Sequence, residues 1–143
     1  MSAEDRAKEL AGYLRIIREK LRRIDKWNPL TSSVLNLQEV RVVLGIGTGG
    51  AMTMSRMADR LQLSVSSMTA VIDKLEKKKF VARDRQAEDR RVVEVTLTKA
   101  GRKFFDLAQQ AHMQFMTEFL GALSASEQDT MLQLFRKVTA NLK

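Results

Sequence analysis

Apolar residues recur at three- and four-residue steps along most of this chain, and at two-residue steps in one short stretch. Residues 3–27 carry Leu10, Tyr13, Leu14, Ile17, Leu21, Ile24 and Trp27 as one helical stripe, which Asn28 and Pro29 bring to an end. After a polar turn at Thr31–Asn36, Leu37–Ile46 reads as a second helix with Val40, Val43 and Leu44 inward. The glycines of GIGTGG (Gly45, Gly47, Gly49 and Gly50) then read as a helix stop and flexible connector. Thr53 caps a short helix, MSRMADRL, with Met57, Ala58 and Leu61 inward, and Ser64 caps the next.

That next helix begins SVSSMTAVIDKLEKKK. Val65, Met68, Ile72 and Leu75 fall on one of its faces, and Ser66, Ser67, Thr69, Ala70, Asp73, Lys74 and Lys77 on the other. Alternation now replaces helical spacing. Val93, Val95 and Leu97 interleave with Val92, Glu94 and Thr96 as a half-buried strand, with Phe80–Arg83 as its partner. Thr98 caps a long helix from Lys99 to about Leu120, with Phe104, Ala108, Ala111, Phe115 and Phe119 on one face and Phe105, His112 and Met116 widening it. Ser124 and Glu127 have the spacing of a capping box for a last helix striped by Met131, Phe135, Val138 and Leu142.

The pattern predicts a mainly α fold with a small β-hairpin wing (α+β), a winged helix-turn-helix with a helical dimerisation region. At 143 residues the chain is one domain by size. Residues 31–98 form the expected winged helix-turn-helix region. Residues 1–30 and 99–143 carry more apolar helical surface than that region can cover, so they are the expected dimer-forming part.

Charge sharpens the picture. Of the net +8, residues 53–103 hold 13 Lys and Arg against 7 Asp and Glu, whereas residues 104–143 hold 3 against 4. A positive field centred on the polar helix and the hairpin points to a polyanion. Short hydroxyl and methyl side chains at the start of such a helix suit base edges in a major groove, and Lys74 and Lys77 suit phosphates. Arg83, Arg85, Arg90 and Arg91 around the hairpin tip suit a minor groove or its flanking phosphates.

Other chemistries are thinly represented. The absence of cysteine excludes disulfides, thiolate zinc sites and thiol redox sensing within the chain. The glycine segment lacks the Lys-Ser/Thr pair of a phosphate loop, because Ala51 and Met52 follow it, so a nucleotide-binding enzyme is not the expectation. His112, the one histidine, has no neighbouring ligand set in sequence and reads as a packed or partly exposed interface residue. The eight methionines read as pliable core, with Met52, Met54 and Met57 also suited to a small-molecule pocket. No metal or cofactor is expected. No apolar run has the length of a membrane span, and MSAEDRAKEL lacks a secretion signal's apolar core, so a cytoplasmic protein is expected.

Taken together, TMSRMADRLQLSVSSMTAVIDKLEKKKFVAR and DRRVVEVTLTKAG resemble the paired helices and the wing signature of the MarR (multiple antibiotic resistance regulator) family of transcription factors, over nearly the whole chain. The resemblance implies a homodimer built from the first and last helices, bound to a roughly palindromic operator in double-stranded DNA. It implies that Ser66, Ser67 and Thr69 face the major groove, with Thr53, Ser64, Ala70 and Asp73 in the same surface. Asp89 would orient Arg91, and Arg90 and Arg91 would meet the minor groove. It also implies a phenolic or other small aromatic effector that lowers DNA affinity; from the residues themselves, a pocket for it is expected between the first helix, the second and the long helix after the wing, with Tyr13, Ile17, Val43, Leu44, Met52 and Phe104 as candidate walls. Two positions depart from the family pattern: Ala70 stands where Arg is common, and Lys79 where Gly is common. The leading expectation is therefore a sequence-specific, ligand-responsive repressor acting as a homodimer. The alternative is a winged helix that binds an acidic protein.

Overall fold

A computed structural model describes residues 1–27, 34–89 and 91–142. In chain order these form α1 (Ala3–Trp27), α2 (Leu37–Gly49), β1 (Met52–Thr53), α3 (Met54–Leu61), α4 (Val65–Lys77), β2 (Val81–Arg85), β3 (Val93–Leu97), α5 (Lys99–Gly121) and α6 (Ala125–Asn141). The three strands make an antiparallel sheet in the order β1-β3-β2. The expected mainly helical winged helix-turn-helix is the fold observed. The stop at Asn28–Pro29, the first part of the Thr31–Asn36 turn and Arg90 lie outside the described residues, as do the side chains of Ile24 and Trp27.

The caps expected from the sequence form. Thr53 Oγ1 accepts the Arg56 N–H, Ser64 Oγ the Ser67 N–H and Thr98 Oγ1 the Gly101 N–H. Each satisfies a helix-end donor and contributes about 1 kcal/mol. Ser124 and Glu127 close the expected capping box. A second box at Asn36 and Glu39 opens α2.

The core lies where α2, α3, α4 and the sheet meet, and it is filled by Val42, Val43, Ile46, Met57, Met68, Ile72, Leu75, Val81 and Val95. Glu39 is buried among them. Its carboxylate accepts from Lys78 Nζ at 2.7 Å, and the same Nζ donates to the Val34 carbonyl at 2.7 Å. All three lysines of the KKK run are exposed, and Lys78 alone among them is in an ion pair found among the described residues, which ties α4 to α2.

Three local expectations are corrected. GIGTGG is not a connector: α2 continues to Gly49, and the chain leaves the helix at Gly50, whose φ is 74°. A Cβ on Gly47 would lie 2.1 Å from the Phe105 ring, and one on Gly49 would lie 2.0 Å from the Met52 methyl. These glycines serve close packing inside a helix that tertiary contacts hold together. The partner strand runs Val81–Arg85 rather than Phe80–Arg83, because Phe80 is taken up in the helix exit, its N–H bonding the Leu75 carbonyl. Val65 is 52% exposed rather than inward, since it begins the helix and Val71 completes the core row in its place.

Lys79 adopts φ 64°, the conformation that favours glycine. Its N–H bonds the Glu76 carbonyl, and with the Phe80 bond this makes the double closure typical of a glycine-ended helix. The Cβ of a lysine there costs on the order of 1 kcal/mol. Lys79→Gly is therefore expected to raise the melting temperature by roughly 2–4 °C at fixed protein concentration. A fall in thermal denaturation would show that the turn is unstrained.

Candidate nucleic-acid interface

The inner row of α4, Met68, Val71, Ile72 and Leu75, is buried, which fixes the opposite row outward. Ser66, Ser67, Ala70, Asp73, Lys74 and Lys77 are exposed and Thr69 is half-buried. The hydroxyls at the start of the helix are organised by the cap. Ser64 Oγ donates to Ser67 Oγ at 2.8 Å and lies 3.2 Å from Ser66 Oγ. Thr69 Oγ1 donates to the Val65 carbonyl at 2.9 Å, which leaves its lone pairs and methyl group for a ligand. Exposed Val65 adds an apolar contact beside the serines. Helical spacing alone assigned it inward; its place in the first turn was the signal against that.

The turn between α3 and α4 is set by Gln62, whose φ is 54° and whose N–H bonds the Asp59 carbonyl. With the Thr53 and Ser64 caps it fixes the approach of the two helices. β2 and β3 pair from Val81–Leu97 to Arg85–Val93, and the wing tip spans the residues between them. Asp89 acts on Arg91 through the backbone: its Oδ1 accepts the Arg91 N–H at 2.9 Å, the side-chain-to-backbone turn that Asp favours. Arg85 and Arg91 are exposed.

Arg83 and Asp73 meet each other. Arg83 Nη2 donates to Asp73 Oδ1 at 2.5 Å and Nη1 to Glu76 Oε2 at 2.6 Å. The Asp73 hydrogen bond, aided by the charges of Glu76 and Asp73 and opposed by partial burial, raises the guanidinium pKa above its ordinary value.

Among the described residues, the six expected to wall an effector site fall in different surroundings. Val43, Met52 and Phe104 are buried in the core, and Tyr13 is exposed on α1 with its hydroxyl donating to Glu9. Ile17 lines a groove between α1 and α5. Leu44 lines another, of about 340 Å³, with Leu21, Thr48, Ala108, Gln109 and His112, where α1, α2 and α5 come together. Apolar character identified these residues without saying which faced the core and which a groove. Among the described residues no cluster of His, Asp and Glu could hold a metal.

Against known proteins, residues 35–93 match the MarR family model. YkoM, an HTH-type transcriptional regulator of Bacillus subtilis, is 31% identical over 111 residues, which is 78% of this chain and 67% of that one. The chain belongs to the MarR family. The HTH-type transcriptional repressor MdtR of Bacillus subtilis is 31% identical over 71% of this chain and 63% of its own. A MarR-family protein from Bacillus stearothermophilus superposes with a TM-score of 0.84 at 20% identity, covering 99% of each chain. Streptococcus pneumoniae FabT, solved in complex with DNA, gives 0.78 at 24% identity, covering 96% of this chain and 99% of that one. As a MarR-family protein the chain is a DNA-binding transcription regulator and not an enzyme. No helix among the described residues is long and apolar enough to cross a membrane.

Proposed function

We propose that the chain is a sequence-specific repressor that binds a pseudo-palindromic operator in duplex DNA as a homodimer in the cytoplasm. The observation that carries this reading is the division of α4 into a buried apolar row and an exposed row of hydroxyls and lysines. Ser66, Ser67 and Thr69 read base edges in the major groove, and Val65 and Ala70 offer methyl groups to thymine. Thr53, Ser64, Lys74 and Lys77 hold phosphates along the groove, and Arg85, Arg90 and Arg91 reach the minor groove or its rim, with Asp89 shaping the tip.

The dimer follows from what one copy leaves uncovered. Leu10, Tyr13, Leu14 and Ile16 on α1 and Leu134, Phe135 and Val138 on α6 are exposed, and α6 has no buried residue. Apolar area on this scale belongs to an interface, and a two-fold pair presents two reading helices to two half-sites. We assign residues 1–30 and 99–143 to dimerisation and 31–98 to DNA. Repression is the sign we favour, since a dimer seated on an operator blocks transcription and MdtR is by name a repressor. A small aromatic or phenolic effector fits the groove between α1, α2 and α5, whose size is at the lower end for a ligand site.

Selecting bound duplexes from random DNA tests the reading. One partly symmetric sequence is expected to emerge. Ser67→Ala and Thr69→Ala are expected to change base preference at single positions by roughly 1–3 kcal/mol per lost contact while binding to unrelated duplexes holds steady. Uniform weakening on every sequence would assign both residues to the backbone, and no enrichment at all would favour an acidic protein as partner.

A further inference from the structure

Arg83 stands midway along β2, the edge strand of the small sheet that follows the reading helix in the chain, and its side chain leaves the sheet for that helix. Its register partner is Val95, whose own partner on the other side is Met52, and both are buried. The backbone at Arg83 is thereby tied to the core through two ladders. Val81, two residues earlier and so on the same face of β2, is buried. Arg83 continues that row past the end of the apolar core. Asp73 and Glu76 are three residues apart on α4, neighbours on its surface, and the flat guanidinium reaches both at 2.5 Å and 2.6 Å.

We propose that Arg83 is a positioning residue of the protein–DNA complex: paired to Asp73 and Glu76, it sets the pitch of the arginine-tipped wing against the reading helix and contacts neither phosphate nor base. The inference rests on the DNA reading of α4 and the wing given above. Two considerations support it. Without Arg83, two bare carboxylates would stand on a helix meant for the groove of a polyanion. The wing is also a lever. At about 3.3 Å per residue, its tip lies roughly 10–16 Å beyond Arg83, so a rotation of about 10° there moves the tip by about 2 Å, more than a hydrogen bond tolerates. Asp73, held by Arg83, is withdrawn from the bases, and selectivity rests on the N-terminal half of α4.

The test uses the full chain, the duplex selected by the wild type and a scrambled duplex, with binding measured over a range of salt. Arg83→Gln is expected to lose about tenfold in affinity for the selected duplex and to lower the selected-to-scrambled ratio. Its salt slope should stay within about 0.5 of wild type, whereas Arg91→Ala should flatten the slope by about 2 per dimer. In the DNA-free protein, amide exchange along β2 and β3 should quicken. Added to the Asp73→Asn, Glu76→Gln background, Arg83→Gln should cost less than about twofold more, because the partners are already gone. A slope flattened by about 2, or a tenfold loss that persists in that background, would make Arg83 a phosphate contact and overturn the proposal. If Arg83→Gln does not fold, Arg83→Lys, which keeps the charge and loses the fork, should still lower the ratio at unchanged slope; equality with wild type overturns the proposal. Wild-type protein that binds no duplex at any salt removes the DNA reading and this inference with it, an outcome distinct from the others.

Discussion

Raising salt is expected to release the protein from its operator steeply. Lys74, Lys77, Arg85 and Arg91 are exposed, and none is drawn into the ion pairs found among the described residues. About four phosphates neutralised per protomer gives a dimer a log K against log salt slope on the order of −7, or about a 10⁴-fold loss between roughly 50 and 200 mM salt. The net charge of +8 makes the direction of the effect secure, while its steepness reports how many cations touch phosphate. Fluorescence anisotropy on the selected duplex measures it directly. A slope near zero would mean that the basic surface does not hold DNA.

Phe135→Glu is expected to convert the protein to a monomer and weaken operator binding by about 10²-fold or more, the scale of the advantage that linking two half-sites confers. Phe135 is 52% exposed and Val138 55% exposed in one copy, so the substitution leaves the core of the protomer untouched. At a two-fold interface the same change enters twice, burying two unpaired carboxylates in an apolar seam. Light scattering should show the change in mass and circular dichroism an unchanged helical content. A variant that stays dimeric with full affinity would place the interface elsewhere.

How far the sequence could be read differs from element to element. The helices with a cap at one end and a one-sided stripe were plain: Thr53, Ser64, Thr98 and the Ser124–Glu127 box all do what their positions announce, because a cap involves only neighbours in the chain. The outward row of α4 was equally plain, since period fixes its phase against the buried row. β1 was not foreseen. Met52 and Thr53 are too few to show alternation, and they become a strand only because β3 passes beside them.

The effector walls and the wing's anchoring show the same boundary. Val43, Met52 and Phe104 were expected as walls, but apolar character does not say whether a side chain meets core or cleft, and these three are buried in the core. Arg83 looked like one more guanidinium among the hairpin's four, and no local pattern marks the carboxylates on α4 as its partners.

The linear order of residues alone determined the winged helix-turn-helix, the exposed polar row of α4, the positive charge around it and the surplus of apolar surface at the two ends. These depend on period, caps and composition, which act over a turn or two of chain. Folding in three dimensions decided the rest: that GIGTG stays helical because Phe105 and Met52 press against it, that Lys78 is spent on buried Glu39, and that Arg83 faces Asp73 and Glu76. Such outcomes are settled by which distant side chains arrive within a few ångströms of one another, and short-range pattern does not encode that distance.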